Sequence, residues 1–556
     1  MIKEMRMRSF LFIGAVCLLT ACAEKAPTER PPESIVEKDK VDGPAKFSAG
    51  IEPELQKIVS DNSAVVNAAV VSENTLGDLK ESTSKDTAGM SAADSITASK
   101  FAIEMNAGWN LGNSLDAHYG SPTGDANLSQ ETIWGNPPVS HELIDYVAQQ
   151  GFDVIRVPVS WYYHSYSDED GNVRISKGWL DRVKEVVDYA YDDGLYVIID
   201  SHHDQPIIYA GVSDSDMEKV YADARSMWSD IASYFADYDD HLIFESFNEV
   251  DNLAKSWSFG EKAAAQMNEL NQVFVDTVRS CGGENAERIL MVPTLLDSYK
   301  EEAVNAFRLP KDKVSDRLLV TVHCYSTIFD QDIDDFFANM EKFSDAAGAP
   351  VIVGEWGTTF HYSPENYRSI HAGNYIARAK EHGIKCIVWD NGSDYDYVNR
   401  KDPSSSNKEL IDAIMNPKEF VMGGKVSLDD MSSFTYETID QKTGLPKSDE
   451  SWGTIITSEG NNAYPVESGH DSMMLVLKAS GDAENLKIHY VYFFDESGKL
   501  LDFVNDAGGF DCNTVAIPKG AVRVRIGINS STNATSAGDY ERYFKKDQLE
   551  LIIGYM

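Results

Sequence analysis

Phe244-Glu245-Ser246-Phe247-Asn248-Glu249 and Val351-Ile352-Val353-Gly354-Glu355-Trp356-Gly357 are the stretches on which the fold turns. Each is, or closes, an apolar run of strand length ending in an acidic residue beside Asn, Gly or Trp, so a carboxylate is delivered at the tip of a buried strand. A charge there costs desolvation unless it is paired. One such Glu could cap a strand or meet a structural Arg. Two on separate strands point to a pair of pKa-tuned groups, Glu249 and Glu355.

Outward from these strings, apolar strand-like runs and amphipathic helical patterns alternate. Ser140-His141-Glu142 opens a helix with Leu143, Ile144 and Val147 on one face and Gly151 as its stop, and Val154-Ile155-Arg156-Val157-Pro158 follows as a strand. Leu180, Val183, Val187 and Ala190 repeat at helical spacing before Tyr196-Val197-Ile198-Ile199-Asp200. Helices over 216–235, 262–279, 332–346, 365–382 and 408–415 are interleaved with strands at 242–244, 289–292, 318–322, 351–353 and 386–389. With the strand before Leu111, eight strands are expected. That number, with near-continuously apolar strands, predicts an α/β fold, a parallel (β/α)8 TIM barrel over 91–417. A doubly wound open sheet is the competitor, and no Gly-rich dinucleotide turn supports it.

In such a barrel every strand points its C-terminal end to the same face, so polar residues there share one crevice. The predicted ends carry Arg156, His202 and His203, Asn248 and Glu249, His323 and Tyr325, Glu355, and Trp389 with Asp390. Each could be structural in isolation. Together they describe a site with two carboxyls, a cation, imidazoles and an aromatic platform, suited to breaking a glycosidic bond.

The net charge of −40 disfavours phosphate backbones and anionic lipid as partners, so nucleic acid is not expected. A neutral polysaccharide fits. Residues 1–22 show a basic start, an apolar core from Phe10 to Leu19 and Thr20-Ala21-Cys22, which reads as a secretory signal. Leu19-Thr20-Ala21-Cys22 resembles the bacterial lipobox, which implies lipidation of Cys22 and anchoring at a membrane outer surface, of the outer membrane or cell surface. An ordinary signal peptide is the alternative. Residues 23–90 are expected to form a polar tether and an N-terminal segment without a firm pattern. Cys281, Cys324, Cys386 and Cys512 show no CxxC spacing, and Cys324 and Cys386 fall in buried-strand patterns, so core thiols are expected.

Residues 418–556 change character. Leu486 to Phe494, a turn at Asp495-Glu496-Ser497-Gly498 and Lys499 to Phe503 read as a hairpin, and 522–526 alternate cleanly. A smaller all-β sandwich-like domain is expected. Trp452, Tyr464, Tyr490 or Tyr492 could stack on sugar or fill the sandwich core, with the core reading preferred.

The strings Gly108-Trp109-Asn110-Leu111-Gly112-Asn113-Ser114-Leu115-Asp116-Ala117, Glu131-Thr132-Ile133-Trp134-Gly135-Asn136-Pro137, Ile155-Arg156-Val157-Pro158-Val159, His202-His203-Asp204, Phe247-Asn248-Glu249, His323-Cys324-Tyr325, Gly354-Glu355-Trp356-Gly357 and Trp389-Asp390-Asn391-Gly392 occur in that order. Over 95–415 the chain resembles the glycoside hydrolase family 5 cellulases, in the subfamily 4-like branch of endoglucanases, xyloglucanases and mixed-linkage glucanases. The resemblance implies Glu249 as acid/base and Glu355 as nucleophile, Arg156 and Tyr325 as donors to the nucleophile, and Asn248 as donor to the sugar 2-OH. It implies His202 and His323 beside the cleavage point, Trp389 as sugar platform, and a retaining mechanism with carboxyls about 5–5.5 Å apart. His203, Trp109, Asn113 and Trp134 could line the cleft or pack. Val250 stands where the branch usually has Pro, and Val388 where it often has a second Trp. The expected protein is therefore a monomeric endo-β-1,4-glucanase needing no cofactor or metal. Xyloglucan, mixed-linkage glucan and mannan are alternative substrates, and a surface glycan-binding lipoprotein is the non-enzymatic alternative.

Overall fold

The computed structural model describes residues 96–251, 257–326, 332–358 and 367–418, and in the tail 421–427, 434–439, 446–447, 454–457, 464–479, 483, 486–510, 512–530 and 549–555. The signal segment, Cys22, the tether to residue 90 and Trp452 lie outside the described residues.

Eight parallel strands close into a barrel. They are β1 (Gly108–Leu111), β2 (Val154–Val157), β3 (Tyr196–Ile199), β4 (Leu242–Glu245), β5 (Leu290–Ser298), β6 (Leu318–His323), β7 (Val351–Trp356) and β8 (Lys385–Asp390). The barrel shuts through Gly108↔Ile387 and Gly108↔Val154, which pair β1 with both β8 and β2. Helix α1 (Ala98–Glu104) precedes the barrel, and α2 (His141–Gln149), α3 (Lys177–Asp192), α4 (Asp214–Tyr234), α5 (Glu261–Ser280), α6 (Glu301–Ala306), α7 (Asp332–Ala347), α8 (Tyr367–Glu381) and α9 (Lys408–Met415) alternate with the strands. The α/β barrel expected from the alternation is thus present, with helix ends within a few residues of those expected. Short α6, a 3-10 segment at Gly124–Thr132 and a hairpin of Ser165–Ser167 with Val173–Ile175 carry too little periodicity to be read.

Two cores explain why the sequence adopts this form. Strand residues facing outward pack with the helices in one large apolar cluster. Those facing inward at the lower end, Val154, Ile198, Ile243, Met291, Leu319, Ile352 and Ile387, join Phe101, Ala102 and Met105 of α1, which plugs the bottom. Side chains on one face of a strand recur every second residue. Two positions above that apolar floor come Arg156, Asp200, Glu245, Pro293, Thr321, Gly354 and Trp389, so the next inward layer carries the buried ions at β2, β3 and β4.

In the tail, a four-stranded and a seven-stranded sheet share one core. Met473, Leu475, Leu551 and Ile553 from the first meet Ile488, Val491, Phe493, Val524 and Ile526 from the second. The expected hairpin forms between Leu486–Phe494 and Leu500–Phe510. Tyr464 is buried in the core between the sheets, in line with the core reading, whereas Tyr492 is buried in a separate cluster with Phe494, against which half-buried Tyr490 packs. Cys324 and Cys386 are buried free thiols and Cys281 is half-buried.

Candidate active site

Arg156, at the inward polar layer of β2, is fully buried and organises the barrel mouth. Its Nε and Nη2 donate to the two oxygens of Glu245 at 2.6 and 2.7 Å. Nη1 donates to Glu355 Oε1 at 2.8 Å and to Asn110 Oδ1 at 3.0 Å. Nη2 also reaches Asn248 Oδ1 at 3.0 Å and Asp200 Oδ2 at 2.7 Å. A planar five-donor fork suits this divergent set of acceptors; an ammonium does not. Holding Asn248 by its oxygen leaves the amide NH2 as the group available to a ligand.

Glu355 is clamped at both oxygens, by Arg156 on Oε1 and by the Tyr325 hydroxyl on Oε2 at 2.7 Å. Its inward aim follows from a register break: β6 and β7 slip between Val322 and His323, so that His323 pairs with Glu355. Such a bulge re-aims a side chain that strict alternation would send outward. Gly354 permits the close approach, since a Cβ there would lie 2.4 Å from Thr321 Oγ1 and 3.3 Å from His323 Nε2.

Glu249 lies beyond the end of β4 in the left-handed region, φ 44°. Its side-chain Oε1 meets His323 Nδ1 at 2.9 Å, and its backbone N–H donates to Asp297 Oδ2 at 2.6 Å. Asp297 itself sits in β5 after Leu296, at φ 49° and 63° respectively. Non-glycine residues there cost about 1–3 kcal/mol each, which the surrounding packing must offset. An oxygen of Glu249, an oxygen of Glu355 and a ring nitrogen of His323 all lie within 4.8 Å of one another. The two carboxyls therefore face each other across a gap of sugar-atom size, as their strand-end placement predicts.

His202 Nδ1 lies 2.7 Å from Asp200 Oδ2, and its ring lies parallel to Trp389 with centroids 5.6 Å apart. The row of rings continues through His203, 4.5 Å from His202, to Trp134, 5.5 Å from His203. Trp389, His202, His203 and Trp134 thus form one wall. Trp109 does not join it: it is buried, donates to Asp390 Oδ2 at 2.9 Å and lies under the Arg400 guanidinium. Asn113 takes a turn at φ 55°, where its backbone N–H donates to Asp116 and its carbonyl accepts from Asn136.

Burial pushes the Glu249 carboxyl up to about 7, opposed by Arg156. Burial also raises Glu355, but His323, Arg156 and the Tyr325 hydroxyl all pull it back. The donors expected to hold Glu355 down are therefore in place, yet they only moderate a rise that desolvation drives. Burial lowers His323 and, strongly, His202, so both imidazoles are neutral near pH 7. Tyr325 is raised well above its usual value by burial and by Glu355, and stays a hydroxyl donor. The Asp116, His202 and His203 ligand atoms, like those of Glu245, Asp297 and His323, come within 4.8 Å of one another. In the second group both Glu245 oxygens are already taken by Arg156.

Sequence reasoning missed Glu245, Asp200, Asn110 and Asp297. The first three could have been found by stepping two residues along each strand from the apolar floor. Asp297 carried no such signal, because the irregular end of β5 turns it inward.

A closed barrel whose mouth presents two facing, buried carboxyls fixed by an arginine, a tyrosine and a histidine defines a glycoside hydrolase. The model for "Cellulase (glycosyl hydrolase family 5)" matches residues 117–395. The chain belongs to glycoside hydrolase family 5, in its subfamily 4-like branch of endoglucanases. It is 34% identical to endoglucanase A of Ruminococcus albus over 332 residues, 56% of this chain and 88% of that one. Among solved structures, the GH5-4 broad specificity endoglucanase from Ruminococcus champanellensis with bound cellotriose is 34% identical, with a TM-score of 0.53 over 58% of this chain and 99% of that one. A lichenase mutant from Caldicellulosiruptor sp. F32 in complex with cellotetraose is 32% identical, with a TM-score of 0.53 over 61% and 98%.

Proposed function

We propose that the protein is a retaining endo-β-1,4-glucanase, and the observation that carries this is the facing pair Glu249 and Glu355 with oxygens within 4.8 Å. Retaining enzymes keep their carboxyls about 5–5.5 Å apart, whereas inverting ones leave about 6.5–9.5 Å for a water. Glu249, lifted to about 7, keeps its proton up to near-neutral pH and gives it to the glycosidic oxygen. Glu355 attacks the anomeric carbon as that bond breaks, forming a covalent glycosyl-enzyme. Glu249, now a carboxylate, then takes a proton from water, whose oxygen displaces Glu355 and restores the original anomeric configuration.

The amide NH2 of Asn248 is placed to donate to the sugar 2-OH, and the row from Trp389 to Trp134 offers faces against which pyranose rings can stack. β-Glucan is the substrate class, in keeping with the cello-oligosaccharides bound to the two relatives above. The test is release of new reducing ends from carboxymethylcellulose, xyloglucan, barley glucan and glucomannan. A dominant rate on glucomannan overturns the glucan assignment, and tight binding without cleavage overturns the enzymatic one.

The string Leu19-Thr20-Ala21-Cys22 supports lipid anchoring at Cys22 on the outer face of a bacterial membrane, with the enzyme acting there as a monomer. Cys22→Ser should move the protein from the membrane to the soluble fraction. Unchanged membrane association counts against the anchor.

A further inference from the structure

Two polar atoms behind the acid/base are left without partners. Asp297 Oδ1 and His323 Nε2 are both buried and unpaired, and they face each other at 3.8 Å. The other polar atom of each side chain meets Glu249: Asp297 Oδ2 accepts its backbone N–H at 2.6 Å, and His323 Nδ1 lies 2.9 Å from Oε1, closer than the 3.6 Å that separates it from Glu355 Oε2. Asp297, His323 and Glu249 thus form a short chain of carboxyl, imidazole and carboxyl. Buried polar groups are seldom left unpaired, and those that are call for an account.

One proton taken up from solvent by Asp297 would let the two orphans pair once they close from 3.8 Å to hydrogen-bond distance, and its presence decides what His323 does for Glu249. Without it Asp297 is a carboxylate, the imidazole hydrogen sits on Nε2, and Nδ1 accepts the Glu249 proton and draws it away from the cleft. With it the acid donates to Nε2, the imidazole hydrogen sits on Nδ1 and points toward Oε1, and the Glu249 proton is free for the leaving group. The same Nδ1–H then steadies the Glu249 carboxylate formed after that proton departs.

We propose that Asp297 is a positioning residue for the acid/base: a neutral carboxylic acid that donates to His323 Nε2 and thereby holds His323 as a donor to Glu249. The surroundings support the neutral form. Asp297 is fully enclosed, with Glu245 and Glu249 as acidic neighbours on and beyond β4, His323 on β6, and Arg156 on β2 as an opposing cation, and burial raises its carboxyl well above the usual range. The left-handed backbone at Leu296 and Asp297 is what delivers the side chain to this spot.

The inference rests on the glucanase reading, and the comparison of Asp297→Asn with Asp297→Ala separates the two. An amide reproduces both hydrogen bonds of a protonated acid, NH2 to Nε2 and C=O from the Glu249 N–H. Asp297→Asn should therefore keep kcat within about threefold and leave the basic limb of the pH–rate profile in place. Asp297→Ala should lower kcat by about tenfold or more with KM unchanged. A charged Asp297 would give the opposite: its replacement by Asn removes a negative charge beside Glu249, moves the basic limb to lower pH and impairs turnover as much as Ala. That result overturns the proposal, as does an Asn variant that fails to fold. Inactivity of the unaltered enzyme on every β-glucan sinks the parent reading instead.

Discussion

Arg156→Lys tests the organisation of the whole site. The guanidinium makes six polar contacts, to Glu245 twice and to Glu355, Asn110, Asn248 and Asp200 once each. An ammonium has three hydrogens and no fork, so at least half of these contacts are lost around a fully buried side chain. Breaking a buried ion pair destabilises by about 3–5 kcal/mol when one partner is left uncompensated. Lys keeps the charge, so the lower end of that range applies, and thermal unfolding should drop by several degrees. The catalytic effect is more specific. Arg156 is one of the groups that hold Glu355 down against burial. With the fork gone, Glu355 needs a higher pH to ionise, and the acidic limb of the rate profile should move up by about one unit. Freed from Oε1, the nucleophile also loses its aim, and kcat should fall by about a hundredfold or more. Initial rates of reducing-end release on a soluble β-glucan from pH 4 to 9, with calorimetry at pH 6, read both effects. A variant with wild-type turnover and an unmoved acidic limb would refute the claim that Arg156 governs the nucleophile.

Tyr325→Phe removes the hydroxyl that donates to Glu355 Oε2; a hydrogen bond to a charged group is worth about 1.5–3 kcal/mol, so kcat/KM should drop about 10- to 100-fold while the fold is kept. Glu249→Ala should lose polymer hydrolysis but still form the glycosyl-enzyme from an aryl glycoside with a good leaving group, and added azide should release a β-glycosyl azide; an α-azide would reverse the two Glu assignments. Stability should fall as pH rises. Burial raises Glu249, Asp116 and Asp204 to about 7 and Asp200 to about 6, so the stability each contributes is fully present below its unfolded value near 4 and is lost as pH climbs through 6 to 7. For Glu249 alone the difference is about 3 kcal/mol. The melting temperature should therefore be higher at pH 5 than at pH 8, and the reverse order contradicts these assignments.

The barrel was legible in the sequence because its strands are apolar on both faces and its polar residues gather at strand ends, a pattern that survives without knowledge of register. Glu249, Glu355, Arg156, His323 and Tyr325 come together as that pattern implies. What depended on register was less legible. Glu245 reads as an interior strand residue, and only the shear of a closed barrel brings it level with Arg156, one strand removed on either side of β3. Trp109 and Trp389 lie in equally apolar strings, yet an outward turn buries one against Arg400 while an inward turn places the other beside His202.

Three residues at the barrel mouth share a structural cause. Glu355, Glu249 and Asp297 reach the mouth through departures from regular backbone: a register slip at β7, and left-handed residues at 249, 296 and 297. Regular strands would send Glu355 outward and leave Asp297 away from Glu249. Local propensity opposes each of these conformations, so Glu249 and Glu355 are legible by their strand-end position but not by their backbone geometry, and Asp297, which has no such position, is passed over. The strain is concentrated where two carboxyls must approach closely while differing in protonation, which alternation along ordinary strands does not supply. The barrel's regular part accordingly provides the floor and Arg156, and its irregular part provides the asymmetry between proton donor and nucleophile.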